Sequence, residues 1–513
     1  MVAPTFTTSS AIESVGAGIA RPQRLHKIRG LSFWRVMLYN GSKYIHGDEC
    51  ILWKKQSKTE LFETTPVFQA LTIMAVPTII SQLIVLIYNL ADTWFIGQTD
   101  DPYMVAAAAL VSTVFLMITG LSNLFGVGGG NLVVQLLGRR QEDEARRAAS
   151  LSLVMAAGSA LVFSLLCLAF MDPLLYLLGA SENTIGYARQ YLIPVVIIGA
   201  LPTLLANTMS TMLRNVGYSK EAGFGVSLGG LLNVGLDPLF MFVLLPKGYE
   251  VLGAALATLL SNLVSFVYFI VVYQKVRSKT VLALPRRIER VQKSSMRAIF
   301  SVGVPAALSL LLYDLTNIII NKLSSGHGDI ELAAMGIILK VERLPLNICV
   351  GICLAMMPLV AYNFASGDRQ RMLAFFRISR RAGLAVAAVC IALYWPFAPQ
   401  IMHAFIHDEQ TVALGTVYLR ARCFAPIMMF LCFHMVHYMQ ALGKGGVSLA
   451  LAAIRQLGMN IPLLLLLDHF FGMTGIIWTQ VTADALTAVI SYLIYAHVKR
   501  GLEVPDGTKT EST

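Results

Sequence analysis

From Phe68 onward, the chain repeatedly shows apolar runs longer than about 18 residues, and each run is long enough to cross the hydrocarbon core of a bilayer. Only 13% of the residues are charged, against roughly 25% in soluble globular domains. A soluble fold of this size would need far more polar surface to cover its core. The sequence therefore predicts an all-α polytopic membrane protein.

The apolar runs predict twelve transmembrane helices, whose ends are placed to within roughly four residues. The predicted spans are 68–95, 104–136, 149–171, 187–213, 222–245, 251–274, 297–323, 332–364, 378–402, 412–441, 446–467 and 473–497. The longer runs can tilt in the membrane or extend beyond it as helix.

The charges in the connecting loops predict the orientation of the chain. Lys and Arg are concentrated after even-numbered spans, and 274–297 alone holds eight of them against the single acid Glu289. Loops after odd-numbered spans carry acids such as Asp101 and Asp172 with little Lys or Arg. Because basic loops stay in the cytoplasm, a multi-pass protein of the plasma (inner) membrane with both termini cytoplasmic is predicted. The net charge of +11 is therefore a topology signal and does not indicate nucleic-acid binding.

An internal repeat divides the chain into two halves. Pro77, Ser81 and Asn89 of the first span recur 228 residues later, as Pro305, Ser309 and Asn317 of the seventh span. Two six-helix pseudo-symmetric lobes are predicted, a layout found in transporters with a central site. The predicted divisions are a disordered cytoplasmic N-terminal tail (1–65), an N-lobe (66–274), a basic cytoplasmic linker (275–296), a C-lobe (297–498) and a cytoplasmic C-terminal tail (499–513).

The candidate functional residues of the N-lobe are ionisable or polar groups within apolar spans, where they are costly to place. Asp92 lies towards the outer end of the first span, with Tyr88 one turn earlier on the same face. Asp237 shares a helix face with Asn233 and precedes Pro238, which cannot donate to the helix backbone. Such oxygen groups beside a loosened backbone suit a cation or proton site. The alternatives are a carboxylate that marks the membrane edge at Asp92 and a hydrogen-bonded Asp in a kinked helix at Asp237.

Several of these segments resemble the multidrug and toxic compound extrusion (MATE) transporters, prokaryotic type. The resemblance lies in Tyr-Asn-Leu-Ala-Asp-Thr at 88–93 and Asn-x-x-x-Asp-Pro at 233–238. It extends to Gly-Ala-Ala-Leu-Ala-Thr at 253–258, Leu-Arg-Asn-Val-Gly at 213–217 and Pro-Leu-Val-Ala-Tyr-Asn at 358–363. The order and spacing of these modest motifs, over nearly everything but the tails, make the resemblance specific.

The resemblance implies two lobes in a V shape and a cation-coupled antiporter. Such proteins export amphipathic, often cationic, drugs or metabolites by alternating access, driven by inward flow of H⁺ or Na⁺. The cation site of prokaryotic members carries over by motif to Asp92, Asn233, Asp237 and Thr258, with Tyr88 nearby. We expect a monomer in the lipid bilayer that takes amphipathic small molecules, with no nucleic-acid partner, no metal site and no cofactor beyond the coupling ion.

The C-lobe offers weaker candidates. The vertebrate and plant members of the family place an essential Glu in span seven, where this chain has Asp314 without a matching motif. In span eight, Lys340, which resembles a basic residue of some bacterial members, lies close in sequence to Glu342 and Arg343. These three are expected to neutralise one another, since unpaired buried charges are costly.

Two further pairs of residues belong to the C-lobe. His434 and His437 lie on one helix face and could relay protons, although buried hydrogen-bonded histidines are the more ordinary arrangement. Arg455 and Asp484 are also candidates for a buried ion pair.

Two other functions fit the sequence less well than transport of drugs. A lipid-linked precursor flippase of the wider superfamily usually has a cationic central cavity, whereas the N-lobe site here is acidic. A membrane-embedded enzyme would need clustered His or Asp motifs at a membrane face, and the sequence has none. The glycine run 126–130 lies inside an apolar span without a preceding strand, so it predicts close helix contact or bending rather than a nucleotide site. The sequence therefore predicts no enzyme.

Overall fold

The computed structural model describes residues 58–99, 101–284 and 293–503. Regular secondary structure within those ranges is entirely helical. Most of the predicted N-terminal tail, the centre of the predicted linker and the end of the predicted C-terminal tail lie outside the described residues.

The described part of the first half contains nine α-helices, two of which are extended by a π-helical segment. The bounds are α1 Lys58–Glu63, α2 Val67–Gly97, α3 Pro102–Gly138, α4 Glu142–Ala169, α5 Met171–Leu177, α6 Ile185–Leu192 with π-helical Ile193–Ile198, α7 Ala200–Asn215, α8 Ser219–Pro238 with π-helical Leu239–Leu244, and α9 Glu250–Val276. Pro238 has no N–H to donate to the helix backbone, and the π-helical segment begins immediately after it.

The second half repeats this arrangement. The bounds are α10 Lys293–Ser325, α11 Asp329–Ala365, α12 Arg369–His403, α13 Glu409–Arg422, α14 Ala425–Ala441, α15 Gly445–Ala453 with π-helical Ile454–Asn460, α16 Ile461–Phe471, and α17 Met473–Glu503. Asp101 and Asp368 cap α3 and α12, because each aspartate accepts a hydrogen bond from a backbone N–H of the first turn.

The predicted spans agree with these helices. Ten helices of the described chain are long and apolar enough to cross a membrane, and two bent pairs bring the number to twelve if each pair is one span. The bent pairs are α6–α7 at 51° and α13–α14 at 45°. The largest boundary error is at α12, which begins at Arg369 rather than near 378 because the capped first turns are basic rather than apolar.

The two lobes meet at the end of the bundle that carries the basic loops, called here the basic end. One buried apolar cluster joins α1, α2 and α3 of the first half to α10, α11, α12 and α14 of the second, with Met74, Val134 and Tyr362 among its members. The predicted close contact at the glycine run is confirmed. A Cβ at Gly128 would collide with the backbone of α10 at Ile299.

The helix α1 corrects the predicted tail, whose last residues are folded. Leu61 and Phe62 are buried, and the Phe62 ring stacks on Tyr362 with 4.9 Å between centroids. Glu63 accepts hydrogen bonds of 2.7 Å from both Arg140 of the first half and Tyr362 of the second. The Arg371 guanidinium donates to the carbonyls of Phe62 and Thr65 at the end of α1. The folded part of the chain therefore begins before residue 66.

Candidate functional site

The helix α8 brings the predicted N-lobe residues together because its small residues let α2 and α9 approach. A Cβ at Gly230 would lie 2.9 Å from Cγ2 of Ile84 and 3.0 Å from Cδ1 of Tyr88, both on α2. On another face of α8, a Cβ at Gly229 would collide with the Ser265 hydroxyl of α9. The glycines are therefore needed for close packing. This packing places Asp92 and Thr258 beside Asn233 and Asp237 at the end of α8.

Asn233 is the centre of the hydrogen bonds within the site. Its side-chain Nδ2 donates to Oδ1 of Asp237 at 3.1 Å and to Oγ1 of Thr258 at 3.2 Å. Asp237 is completely buried, and its Oδ2 has no hydrogen-bond partner among the described residues. The predicted Asn233–Asp237 pair is thus present, and one carboxylate oxygen remains unsatisfied.

Asp92 completes the site from α2. The residue is half-buried, and its Oδ1 is a second buried carboxylate oxygen without a hydrogen-bond partner in the described chain. Tyr191 of α6 is close enough to interact with Asp92, Asp237 and Thr258. Tyr88 interacts with Asp92 from one turn away, as the sequence predicts.

Tyr191 is a functional candidate that the sequence pattern does not reveal. Its only signal there is its place in the internal repeat, where Tyr191-Leu192 corresponds to Tyr418-Leu419. A tyrosine in an apolar span has no charge to mark it, and its approach to both aspartates depends on packing between distant helices.

The site has a clear chemical preference. Neither Asp92 nor Asp237 forms an ion pair with a Lys or Arg of the described chain. A buried carboxylate without a counter-charge is costly, and a bound cation or proton removes that cost. The groups available to bind a cation are carboxylate, amide and hydroxyl oxygens, which suit hard cations such as Na⁺. The arrangement is therefore chemically suited to a small cation or a proton.

In the C-lobe, the expected mutual neutralisation of Lys340, Glu342 and Arg343 is wrong. Glu342 instead accepts two hydrogen bonds from Arg422, at 2.7 and 2.9 Å, and both residues are buried. Lys340 and Arg343 are exposed, because they lie on other faces of α11. The partner of Glu342 comes from α13, a contact that sequence proximity cannot reveal.

The predicted Arg455–Asp484 pair is confirmed. Arg455 donates to the two carboxylate oxygens of Asp484 at 2.6 and 3.0 Å. Gln480 donates a further hydrogen bond of 2.7 Å to Asp484, and the guanidinium lies 4.6 Å from the Phe433 ring centroid. These contacts leave Asp484 with no carboxylate oxygen unsatisfied.

The histidines of α14 have separate partners. The buried His434 ring is hydrogen-bonded to the Ser379 hydroxyl at 2.8 Å, and His437 Nδ1 lies 2.7 Å from the Phe433 carbonyl. This geometry agrees with the ordinary arrangement of hydrogen-bonded histidines rather than with a relay. Asp314 is half-buried and interacts with Arg343, so it does not join the N-lobe site.

A bundle of ten to twelve membrane-spanning helices in the described chain, built from two similar halves with buried charges in both, is typical of a membrane transporter. The chain belongs to the MatE family, whose model matches it twice, over residues 77–239 and 305–466. The two matches begin at the same residues, Pro77 and Pro305, that mark the internal repeat. The predicted family and the two-half organisation are therefore confirmed, and the protein is a transporter rather than an enzyme.

Curated relatives and solved structures agree with this assignment. The chain is similar to the multidrug export protein MepA of Staphylococcus saprophyticus, with 29% identity over 86% of this chain and 96% of the relative. It is 28% identical to MepA of Staphylococcus aureus over the same shares.

Two solved structures show the same fold. One is a multidrug resistance MATE family transporter in an outward-facing conformation, with a TM-score of 0.81 and 22% identity over 88% of this chain and all of that one. The other is a MOP superfamily transporter from Pyrococcus furiosus, with a TM-score of 0.79 and 22% identity over 87% of this chain and all of that one.

Proposed function

We propose that this transporter is a cation-coupled antiporter that exports amphipathic, often cationic, drugs or metabolites in exchange for H⁺ or Na⁺. The coupling site comprises Asp92, Asn233, Asp237 and Thr258, with Tyr191 and Tyr88 beside them. The names of the staphylococcal relatives support export of drugs. The pair of unsatisfied carboxylate oxygens supports the coupling site.

That pair is the single observation on which the coupling site rests. Asp92 and Asp237 each keep a buried oxygen without a partner in the described chain. A carboxylate that served only the fold would be stabilised by a complete set of hydrogen bonds or an arginine. Here the missing partner is supplied by an exchangeable cation, which is what coupling to an ion gradient requires.

The helix α2 links the site to the movement of the lobes. Asp92 lies near one end of α2, and Ile79 in its middle packs against Gly351 of the other lobe. The lobes are closed at the basic end, so cargo leaves from the opposite end in this state. Cation binding shifts the equilibrium between the two states of alternating access only if the cation binds one state more tightly than the other. The helix α2 can provide this difference in affinity by changing its distance from α8.

We propose that the basic end faces the cytoplasm, because loops rich in Lys and Arg favour that side of the membrane. Lys279→Cys and Glu182→Cys, introduced separately into a cysteine-free chain, test this placement because the two residues lie at opposite ends of the bundle. A membrane-impermeant maleimide added to intact cells should label position 182 and spare position 279. The reverse pattern would overturn the orientation and with it the direction of export.

Dye efflux from membrane vesicles tests the proposed function. A cationic amphipathic dye should leave the vesicles against its gradient when a H⁺ or Na⁺ gradient is imposed, and collapse of that gradient should stop the efflux. An anionic dye should move much more slowly. Movement of the anionic dye alone would favour the flippase alternative, and cationic dye efflux without any ion dependence would contradict coupling.

A further inference from the structure

A groove between α12 and α17, near the basic end, is separate from the proposed coupling site. Its volume is about 370 Å³. The residues that line it are Leu373, Phe376, Arg377, Arg380, Tyr492 and Tyr495. The groove is therefore built from two arginines of α12 and aromatic side chains of both helices.

The base of the groove is a packed aromatic cluster. The buried Phe376 ring stacks on Tyr495 with 5.2 Å between centroids and lies 4.2 Å from the ring of Tyr438. Tyr492 lies 6.2 Å from Tyr495 and is exposed. Tyrosines at this depth are typical of the boundary between hydrocarbon and headgroups. The groove is thus preformed, and we expect it to lie at the level of the lipid headgroups.

The two arginines have no negative partner among the residues that the structure describes. The Arg380 guanidinium lies over the Phe376 ring at 5.5 Å, and Arg377 Nε donates to the Leu373 carbonyl at 3.2 Å. Neither forms an ion pair with an Asp or Glu of the described chain. This differs from Arg422 and Arg455, each of which is neutralised by a carboxylate. Two guanidiniums about one turn apart can bind a phosphate through paired hydrogen bonds.

The surface beside the groove is apolar and faces outwards. On α12, the helix face that carries Arg377 and Arg380 continues as an apolar strip whose members are not fully buried, namely Leu384, Ala388 and Ile391. On α17, the face that carries the two tyrosines continues as a second strip through Ala488 and Ala485, which are also not fully buried. Both strips run along their helices away from the basic end. A phosphate held by the arginines would therefore continue into acyl chains along these strips, which a soluble phosphate compound does not have.

We propose that this groove binds the headgroup of an anionic phospholipid from the leaflet at the basic end. Arg377 and Arg380 bind the phosphate, Tyr492 borders the headgroup, and the acyl chains lie along α12 and α17. Basic pockets between transmembrane helices are known to select anionic lipids on this physical basis. The site lies within the C-lobe, so it does not depend on the ion-coupling proposal.

Lipid binding to the purified full-length chain tests this site. Native mass spectrometry in detergent should show phosphatidylglycerol retained more strongly than phosphatidylcholine. The double variant Arg377→Gln/Arg380→Gln should bind phosphatidylglycerol about twenty-fivefold more weakly, since each arginine contributes about fivefold. The variant Arg377→Lys/Arg380→Lys, which keeps the charge, should keep part of the preference and shows whether the groove still folds.

The matched control is Arg369→Gln/Arg381→Gln, which removes the same charge from exposed positions of the same helix outside the groove. This control should keep the lipid preference. Equal loss in the control would show a general charge effect and overturn the site. Unchanged binding in Arg377→Gln/Arg380→Gln would also overturn it. Displacement of the lipid by millimolar inorganic phosphate or glycerol phosphate would overturn the assignment to a lipid.

Discussion

In the C-lobe, Glu342 and Asp484 each accept two hydrogen bonds from a buried arginine, whereas in the N-lobe Asp92 and Asp237 meet no arginine or lysine of the described chain. The two lobes have the same fold and both bury carboxylates within helices. Their difference lies in what neutralises the charge.

The permanent partners in the C-lobe make its carboxylates part of the structure. An arginine remains protonated at any physiological pH, so Glu342 and Asp484 have no reason to release or accept a cation. Apart from each other, the two N-lobe aspartates have neutral neighbours among the described residues, including Asn233, Thr258 and Tyr191, so a bound cation or proton is the proposed source of neutralisation. We therefore propose that buried charge serves ion coupling in the N-lobe and stability in the C-lobe.

The largest effect is expected in the N-lobe. Asp92→Asn and Asp237→Asn should each reduce gradient-driven dye efflux to the level of empty vesicles, because the amide keeps the shape but cannot exchange charge. If the carboxylates share one cation, the double variant should be little worse than either single variant. Asn233→Ala should weaken the dependence on the ion more mildly, since it removes one neutral ligand.

The matched control for these substitutions is Asp172→Asn, which changes a half-exposed aspartate of the same lobe that is paired with Arg189 at 2.7 Å. It should export dye at nearly the normal rate. Normal, ion-dependent efflux in both Asp92→Asn and Asp237→Asn would place the coupling site elsewhere, and Asp314, Glu342 and the His434/His437 pair would be the next candidates.

The next largest effect is expected in the C-lobe and concerns stability. Arg422→Met should destabilise the protein by about 3–5 kcal/mol, because it leaves Glu342 buried without its partner. The double variant Glu342→Leu/Arg422→Met removes both charges and should recover most of the thermal stability in detergent. A double variant as unstable as the single one would show that the pair contributes more than mutual neutralisation.

A smaller effect should follow from separating α2 and α8 without changing any charge. Gly230→Leu should lower both stability, by about 1–3 kcal/mol, and coupled efflux, since its side chain would displace Ile84 and Tyr88. Gly235→Leu is the control in the same helix, because a Cβ there meets nothing within 4 Å. Equal efflux from the two variants would show that close packing of α2 against α8 is not needed for coupling.

The smallest effect is expected at Glu63, whose partner Arg140 is largely exposed. Exposed ion pairs contribute about 0–1 kcal/mol, so Glu63→Gln should change thermal stability very little. It should nevertheless weaken the connection between the halves at the basic end, seen as faster maleimide labelling of Gln135→Cys. Gln135 lies there in contact with the Ala441 carbonyl of the other lobe. Unchanged labelling would show that the apolar cluster alone closes this end.

The sequence predicts the fold closely because the hydropathy of each span and the charge of each loop are local properties. They can be read without knowing which helices contact one another. Each long apolar run appears as a helix or a bent pair of helices, and the repeat at Pro77 and Pro305 coincides with the two family matches. The helix α1 was missed because its six residues are too short to show a periodic pattern, and its stability comes from distant contacts such as Arg371.

The candidate site was predicted only in part, for a related reason. Asn233 and Asp237 are four residues apart, so their shared face is visible in the sequence. The approach of Tyr191, and the pairing of Glu342 with Arg422 across 80 residues, depend on how separate helices pack. Spacing within one helix can be read from the sequence, whereas contacts between helices require the fold.

The most direct test of the N-lobe site is to count the cation released when cargo binds. Purified protein in detergent, loaded with protons or with radioactive Na⁺, should release about one cation per molecule of bound cationic dye, as expected if both carboxylates share one site. Asp92→Asn and Asp237→Asn should bind dye and release none, while Asp172→Asn should behave as the unaltered protein does. Unchanged release from both site variants would contradict the assignment of the coupling cation to Asp92 and Asp237.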